Sequence, residues 1–205
     1  MVDDRSERSF APLTTEHLQR LANLAMADDI AFRHRYPEWS TLLACCLVQG
    51  GARHYVHHDR GVKDLDVYLF YAVPPGKSSN QFPWLRGGTT RNSDFGPSVL
   101  GRQVYTDAER ADHRLARKVP VWESFTGRRV DLLGRGIVPN PDGPRAAVTE
   151  WLEQGARRRV PTATAWHLGR TPVVSLMPEL GEVWWPGPDS DEAGIEKGLY
   201  DDSHE

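Results

Sequence analysis

The stretch that decides the fold spans residues 42–72 and reads LLACCLVQGGARHYVHHDRGVKDLDVYLFYA. It begins with a continuous apolar run, residues 42–48, which ends at Gly50 and Gly51 as a buried strand entering a tight turn would. It closes with residues 65–72, whose β-branched and aromatic side chains predict a second strand. A short helix is expected between the strands, at residues 52–59. The stretch therefore predicts two strands joined through a glycine turn and a helix.

Two aspartates mark the start of the second strand. Asp64 and Asp66 are two residues apart, so their side chains project from one face of a strand, with backbone positions about 6.5 Å apart. Leu65 and Val67 would then face the interior. Carboxylates so placed suit magnesium, which commonly binds through one or two carboxylates plus substrate phosphates. The alternative is a solvated strand start in which Asp is a turn or cap residue.

The glycine pair supplies the complementary half of a phosphate site. Glycines let backbone N–H groups approach phosphate oxygens closely, and a helix that opens after them adds its dipole. Arg53 and Lys63 are candidate phosphate contacts, and both also fit a solvated surface. Taken alone, Gly50 and Gly51 would indicate only a turn.

In this order the residues resemble the polymerase-β-like nucleotidyltransferase superfamily. Its signature is a small apolar strand, Gly followed by Gly or Ser, a short spacer, Asp-apolar-Asp/Glu-apolar, and a third carboxylate on a later strand. Here twelve residues separate Gly51 from Asp64-Leu65-Asp66-Val67, and Arg129-Val130-Asp131-Leu132 matches the third carboxylate motif. The resemblance covers about residues 40–135.

The resemblance implies an α/β or α+β domain with a small mixed β-sheet flanked by helices. It implies that Asp64, Asp66 and Asp131 bind Mg²⁺ or Mn²⁺ and that Asp131 activates the acceptor hydroxyl. Gly50 and Gly51 would hold a nucleoside triphosphate such as ATP. The implied reaction is attack of the acceptor on the α-phosphate, with pyrophosphate leaving.

Two questions stay open at this point. The acceptor is a small molecule, a protein hydroxyl or the 3′ end of an RNA. The alternative function is a catalytically inactive module of the same fold that binds a nucleotide or a partner, including one half of a toxin–antitoxin pair. For Asp131 itself, the alternative is a hairpin acid paired with Arg128 or Arg129.

The remaining sequence predicts further elements on both sides of this stretch. Thr14 caps a helix that runs to about Arg35. Residues 73–100 are dense in Pro, Gly, Ser and Asn, which predicts a long irregular excursion. The other expected elements are a hairpin at 121–125 and 130–133, a helix from Pro144 to Gln154 ended by Gly155, and short strands at 173–176 and 182–185.

These elements predict a single domain. Residues 13–185 are expected to form the nucleotidyltransferase-like domain with a C-terminal helical and strand extension. Residues 1–12 are expected to be flexible, and the acidic segment 186–205 to be a disordered tail.

Composition narrows the class of protein. The chain has 205 residues, 39% of them hydrophobic, and a formal net charge of -3. No stretch approaches the length of a membrane span and the N-terminus has acids where a signal would be basic, which predicts a cytoplasmic protein. The near-neutral charge argues against a dedicated nucleic-acid binder but leaves a local basic patch and a protein partner possible. The adjacent cysteines, Cys45 and Cys46, are expected to be small core residues.

Three further motifs have both a functional and a plainer structural interpretation. His54, His57 and His58 suggest a metal site, but a solvated helix at the rim of a cleft explains them as well. Residues 86–91 (RGGTTR) suggest a phosphate or nucleic-acid contact, against which a mobile surface loop is the preferred interpretation. The tryptophans, including Trp151, Trp184 and Trp185, are expected to be core anchors rather than base-stacking platforms.

Overall fold

A mixed β-sheet forms the centre of the molecule. The computed structural model describes residues 12–59, 61, 62, 64–83, 89–92, 111, 129–158 and 164–188. Its strands are β1 (Leu42–Val48), β2 (Leu65–Ala72), β3 (Thr89–Asn92), β4 (Arg129–Ile137), β5 (Val173–Met177) and β6 (Val183–Trp185). Their order in the sheet is β3-β4-β2-β1-β5-β6. Only β2 and β4 pair in parallel, so the predicted mixed sheet is confirmed within these ranges.

Four α-helices accompany the sheet in the described part of the chain. They are α1 (Thr15–Arg35), α2 (Gln49–His57), α3 (Pro144–Arg158) and α4 (Thr164–Gly169), and two short 3₁₀ segments lie at Pro37–Trp39 and Ser79–Gln81. The predicted bounds of β1 and β2 are confirmed, as is the cap of α1, where the Thr14 side chain accepts from the His17 backbone N–H. α2 starts earlier than the predicted residue 52, because the glycines themselves form its first turn.

One face of the sheet packs against α1 and α2. Apolar side chains of α1 at helical spacing, among them Leu18, Leu21 and Ala25, are buried against Leu65 and Val67 of β2. The face also buries acids of α1, among them Asp29, which accepts a hydrogen bond from the Tyr71 hydroxyl at 3.1 Å. The burial of Leu65 and Val67 confirms their predicted inward orientation.

The opposite face packs against α3 and α4. Phe70 and Ile137 of the sheet are buried with Val148 and Leu152 of α3 and with Leu168 of α4. Trp184 is buried in the same cluster, and Trp151 and Trp185 pack against it, in agreement with their predicted role as core anchors. Asp66 and Asp131 occupy strand positions on this same face of the sheet, so the apolar cluster lies next to them.

Two sequence predictions about elements were wrong. Residues 73–100 are not wholly irregular, because Thr89–Asn92 forms β3 through backbone pairing with β4, and Phe82 is buried between Phe32 and Trp39. The helix that begins at Pro144 does not end at Gly155 but continues to Arg158. Gly155 lies inside it, where the close approach of Ala165 in α4 requires the absence of a side chain.

Other predictions fall partly or wholly beyond the described residues. Residues 1–11, 84–88, 121–128 and 189–205 are outside them, so the flexible N-terminus, the first half of the RGGTTR segment, the first strand of the hairpin and most of the acidic tail stay predictions. Both cysteines are buried and free, as expected of core residues. Among the helices described, none has the length and apolarity to cross a membrane.

Candidate active site

The pairing of β2 with β4 brings two of the predicted carboxylates side by side. Asp66 and Asp131 are direct partners in the parallel register of these strands. Neighbouring strands lie about 4.8 Å apart and paired residues point to the same face, so the two side chains project together. Both are partly exposed, at the end of the face that α3 and α4 cover further along. This adjacency, between residues far apart in the chain, is the central feature of the candidate site.

Asp64 precedes β2 by one residue and is also partly exposed. Its spacing of two from Asp66 gives it the same side of the chain if the extended conformation continues. Within the described ranges, no group of three or more His, Cys, Asp or Glu side chains is gathered closely enough to hold a metal ion. The fold thus pairs Asp66 with Asp131, and it does not draw the three predicted ligands into a closed cage.

The glycine pair lies at the junction of β1 and α2, next to these acids. Val48, the last residue of β1, is the register partner of Asp66 on the other side of β2. Gln49 then adopts a left-handed conformation with φ 54°, and the chain enters α2 through Gly50 and Gly51. Left-handed backbone at a non-glycine residue is costly and concentrates at functional sites. The first turn of α2 therefore starts beside the carboxylate pair.

The two glycines have different surroundings. A Cβ on Gly51 would lie 2.8 Å from a methyl carbon of Leu47 and 3.1 Å from one of Leu65, so a side chain at position 51 would press on two buried leucines. A Cβ on Gly50 would meet nothing within 4 Å, and Gly50 is exposed. Packing gives no reason for a glycine at position 50. An open backbone cradle of this kind suits a ligand that approaches the N–H groups closely.

The two predicted basic contacts have different outcomes. Arg53 lies in α2, and its guanidinium donates to the carboxylate of Asp59, with Nε at 3.0 Å and 3.2 Å from the two oxygens. This hydrogen bond is the main reason that the pKa of Arg53 is raised. Arg53 is therefore engaged with a residue just beyond the C-terminal end of α2. Lys63 lies outside the described residues.

Two residues of the site face were missed by the sequence interpretation. Tyr68 follows Asp66 by two positions on β2, and Arg135 follows Asp131 by four on β4, so all four share one face. Burial raises the pKa of Tyr68, Arg135 opposes this effect through its charge and a hydrogen bond, and the charges of Asp66 and Asp131 add to the rise. The Tyr68 hydroxyl is thus within electrostatic reach of both acids and of the guanidinium. Alternation along RVDLLGRGI, residues 129–137, was the signal that would have found Arg135.

The histidine cluster lies on the far part of α2. His54 is buried and its ring meets that of His58 edge to face, with centroids 5.7 Å apart, whereas His57 and His58 are exposed. Within the described ranges, these histidines do not belong to a group of three or more side chains that could hold a metal ion. The exposure of His57 and His58 agrees with the predicted solvated helix, whereas His54 is a core residue.

Comparison of the chain with protein-family models, with curated proteins and with solved structures found no match.

Proposed function

We propose that this chain is a metal-dependent nucleotidyltransferase that transfers a nucleoside monophosphate from a nucleoside triphosphate to a hydroxyl acceptor. The observation that supports it most is the register of β2 and β4, which sets Asp66 beside Asp131. The glycine turn at the end of β1, next to Asp66, is the second support. Three segments that matched the superfamily motif separately in the sequence thus meet at one end of the sheet.

The paired carboxylates suit the hard cation that such a reaction uses. Mg²⁺ usually keeps several waters and binds through one or two carboxylates together with substrate phosphates, rather than in an all-protein cage. Asp66 and Asp131 would hold it, with Asp64 as a further oxygen ligand. When bound, the cation neutralises charge that develops on the phosphates.

The chain's own residues orient the triphosphate and accept the proton during the transfer. The acceptor oxygen forms a bond to the α-phosphorus while the bond between that phosphorus and the bridging oxygen of the β-phosphate breaks. The hydroxyl proton moves to the Asp131 carboxylate, and the electron pair of the broken bond leaves on pyrophosphate. The exposed Gly50 backbone orients the triphosphate. Positioning and charge stabilisation supply most of the catalysis in phosphoryl transfer.

A second candidate function is a nucleotide-binding module that does not turn over. The observation that favours it is the exposed glycine turn at the end of β1, next to Asp66, which suits nucleotide binding without requiring catalysis. A module of this kind needs the glycine turn but not a proton acceptor at position 131. It predicts nucleotide binding without release of pyrophosphate.

Rates of pyrophosphate release distinguish these functions. Purified protein is incubated with Mg²⁺, each labelled nucleoside triphosphate and acceptors from the small-molecule, protein and RNA classes. Asp66→Asn and Asp131→Asn keep side-chain shape and are expected to lower the rate by about a hundredfold or more. Asp142→Asn, at an exposed acid just before α3, is the matched control and is expected to leave it unchanged.

Three outcomes of this experiment distinguish the two candidate functions. Equal release by the wild type and both site variants contradicts the proposal. No release with any acceptor, together with nucleotide binding that Gly50→Val abolishes, would establish the binding module instead. Neither release nor binding would remove both functions.

A further inference from the structure

A small cavity lies beside α3, at the end of β4 that is remote from the carboxylate pair. Its volume is about 180 Å³, and it is lined by Ser79, Val138, Ala147, Glu150, Trp151 and Gln154. Val138 directly follows β4, whereas Asp131 lies near the start of that strand, so extended chain of about 23 Å separates them. Pockets for small organic ligands usually measure about 300–1,000 Å³. The cavity therefore suits a single side chain rather than a nucleotide.

The apolar part of the lining combines an aromatic ring with two aliphatic side chains. Trp151 is half-buried, and its ring meets that of Phe70 edge to face, with centroids 5.5 Å apart. Ala147 is buried, whereas Val138 is 70% exposed and is one of two large apolar residues left open to solvent in the described part of the chain. The methylene stem of a long side chain packs well on such a surface, and a planar cation stacks on tryptophan.

Glu150 carries the only charge among the six residues that line the cavity. Nδ2 of Asn140 donates to its Oε2 at 3.0 Å, and Nε2 of Gln154 donates to its Oε1 at 3.2 Å. Both donors are neutral amides, and within the described ranges this carboxylate has no ion pair. The lining therefore keeps one negative charge, which favours a cationic occupant.

The two amides also fix the direction from which a cation can bind. An ionised carboxylate has about four lone-pair sites on its two oxygens, and each amide uses one site on a different oxygen of Glu150. Each oxygen thus keeps a site for another donor. Asn140 is itself held in place, since its Oδ1 accepts from the Asp142 backbone N–H at 2.8 Å. Two parallel N–H groups of a guanidinium fit such a pre-oriented carboxylate, whereas an ammonium acts as a point charge.

We propose that this cavity binds an arginine side chain of a partner protein. The guanidinium pairs with Glu150 and stacks on Trp151, and the methylene stem packs on Ala147. The exposure of Val138 favours a peptide over a free cation, because residues that flank the arginine cover it. Tryptophan and arginine are among the residues that contribute most to the energy of protein interfaces. The inference does not rest on the proposed function, since the cavity and the carboxylate pair lie at opposite ends of β4.

Titration with the acetylated and amidated tripeptide Leu-Arg-Leu tests the cavity. The indole N–H resonance of Trp151, assigned by its loss in Trp151→Phe, is expected to shift and to saturate. The same peptide with citrulline in place of arginine keeps the planar shape without the charge, and it is expected to bind at least tenfold more weakly. Equal affinity for the two peptides, or no shift with either, would overturn the proposal.

A substitution at Glu150 tests the source of the negative charge. Glu150→Gln is expected to weaken binding of the arginine peptide at least fivefold, because the carboxylate is lost while the shape remains. Glu153→Gln is the matched control, since it removes an exposed acid of the same helix that pairs with Arg157 and does not line the cavity. It is expected to change the affinity less than twofold. Equal effects of the two substitutions contradict the site.

Val138→Lys covers the case in which Glu150→Gln disturbs the fold. Because Val138 is exposed, a lysine there needs no repacking, and its charge is expected to repel the arginine peptide and weaken binding at least fivefold. Unchanged affinity would contradict the position of the site. Ethylguanidine then separates a protein partner from a free cation. The tripeptide is expected to bind at least threefold more tightly, and equal affinity would assign the cavity to a small cation and overturn the proposed partner.

Discussion

The adjacent glycines Gly50 and Gly51 have different surroundings in the folded protein. Gly51 sits where a methyl group would press on Leu47 and Leu65, so packing explains it. Gly50 faces open space and its φ is not in the left-handed region, so neither sterics nor backbone conformation requires glycine there. A residue that stability does not need is a candidate for a role in binding.

Alanine substitutions distinguish a binding role of Gly50 from a packing role of Gly51. Gly50→Ala is expected to leave the free energy of unfolding unchanged or to raise it by about 0.5–1 kcal/mol, because alanine restricts the unfolded chain. It should nevertheless weaken binding of ATP with Mg²⁺. Gly51→Ala is expected to destabilise the fold by about 1–3 kcal/mol through overpacking. Urea unfolding measures the change in the free energy of unfolding, and titration with ATP and Mg²⁺ measures the change in affinity.

The opposite pattern would contradict this assignment. If Gly50→Ala destabilised the fold while ATP affinity stayed the same, Gly50 would be a structural residue and its backbone would have no role in nucleotide binding.

Cys45 and Cys46 give the protein a defined response to alkaline pH. Burial is the main cause that raises the pKa of each thiol well above its ordinary value. Both thiols therefore keep their protons in the folded state at a pH where the unfolded chain, with thiol pKa near 8.5, loses them. Their contribution to stability is complete below about pH 8.5 and is lost as the pH rises above it.

Cys46→Ala isolates one of these thiols. Between pH 7.5 and 9.5 the wild type is expected to lose about 1.4 kcal/mol more unfolding free energy than this variant. Urea unfolding at the two pH values is the measurement, and parallel losses in both proteins would contradict it. Native protein should also fail to react with a thiol reagent that labels both cysteines in denaturant.

At the level of elements, continuous apolar runs were the most reliable sequence signal. β1 and β2 were predicted to the residue because LLACCLV and LDVYLFYA allow no other placement of so many apolar side chains. β3 was missed because Thr89–Asn92 is polar and follows two glycines, so pairing with β4 rather than its composition makes it a strand.

Gly155 shows why a glycine is a poor marker of a helix end. Its place after the apolar positions of the helix predicts a stop, but it lies within α3 at the contact with α4. A Cβ there would lie 2.4 Å from Cβ of Ala165 and 2.6 Å from its carbonyl carbon. Such a demand depends on a tertiary contact, which local sequence does not reveal.

Gly155→Ala is therefore expected to destabilise the protein by about 1–3 kcal/mol or more, since α3 and α4 must separate. Because the clash includes backbone atoms, Ala165→Gly should not rescue it. Thermal unfolding of the single and double variants provides the measurement. Full recovery in the double variant would show that only the two side chains collide.

For the molecule as a whole, the site depends on strand order, which the motif alone does not contain. Local sequence gave Asp64 and Asp66 on one strand and Asp131 on another. Only the parallel pairing of β2 with β4 sets Asp66 beside Asp131, and only the antiparallel pairing of β1 with β2 brings the glycine turn to the same end. The partners Tyr68 and Arg135 became evident once that face was known.

If these parts act together, triphosphate and Mg²⁺ should stabilise the whole fold. A ligand that binds only the folded state at about one hundred times its Kd adds about 2.7 kcal/mol to the free energy of unfolding. In a domain of this size that corresponds to an increase in Tm of about 5–10 °C. ATP with Mg²⁺ is expected to produce it, ATP with a chelator much less, and Asp66→Asn little with either. The ligand-induced shift is compared within each protein, because removing a carboxylate from a like-charged pair alters the starting Tm as well. An equal shift in Asp66→Asn would show that the nucleotide binds away from the carboxylate pair, so that β2 and β4 align these acids for some other purpose.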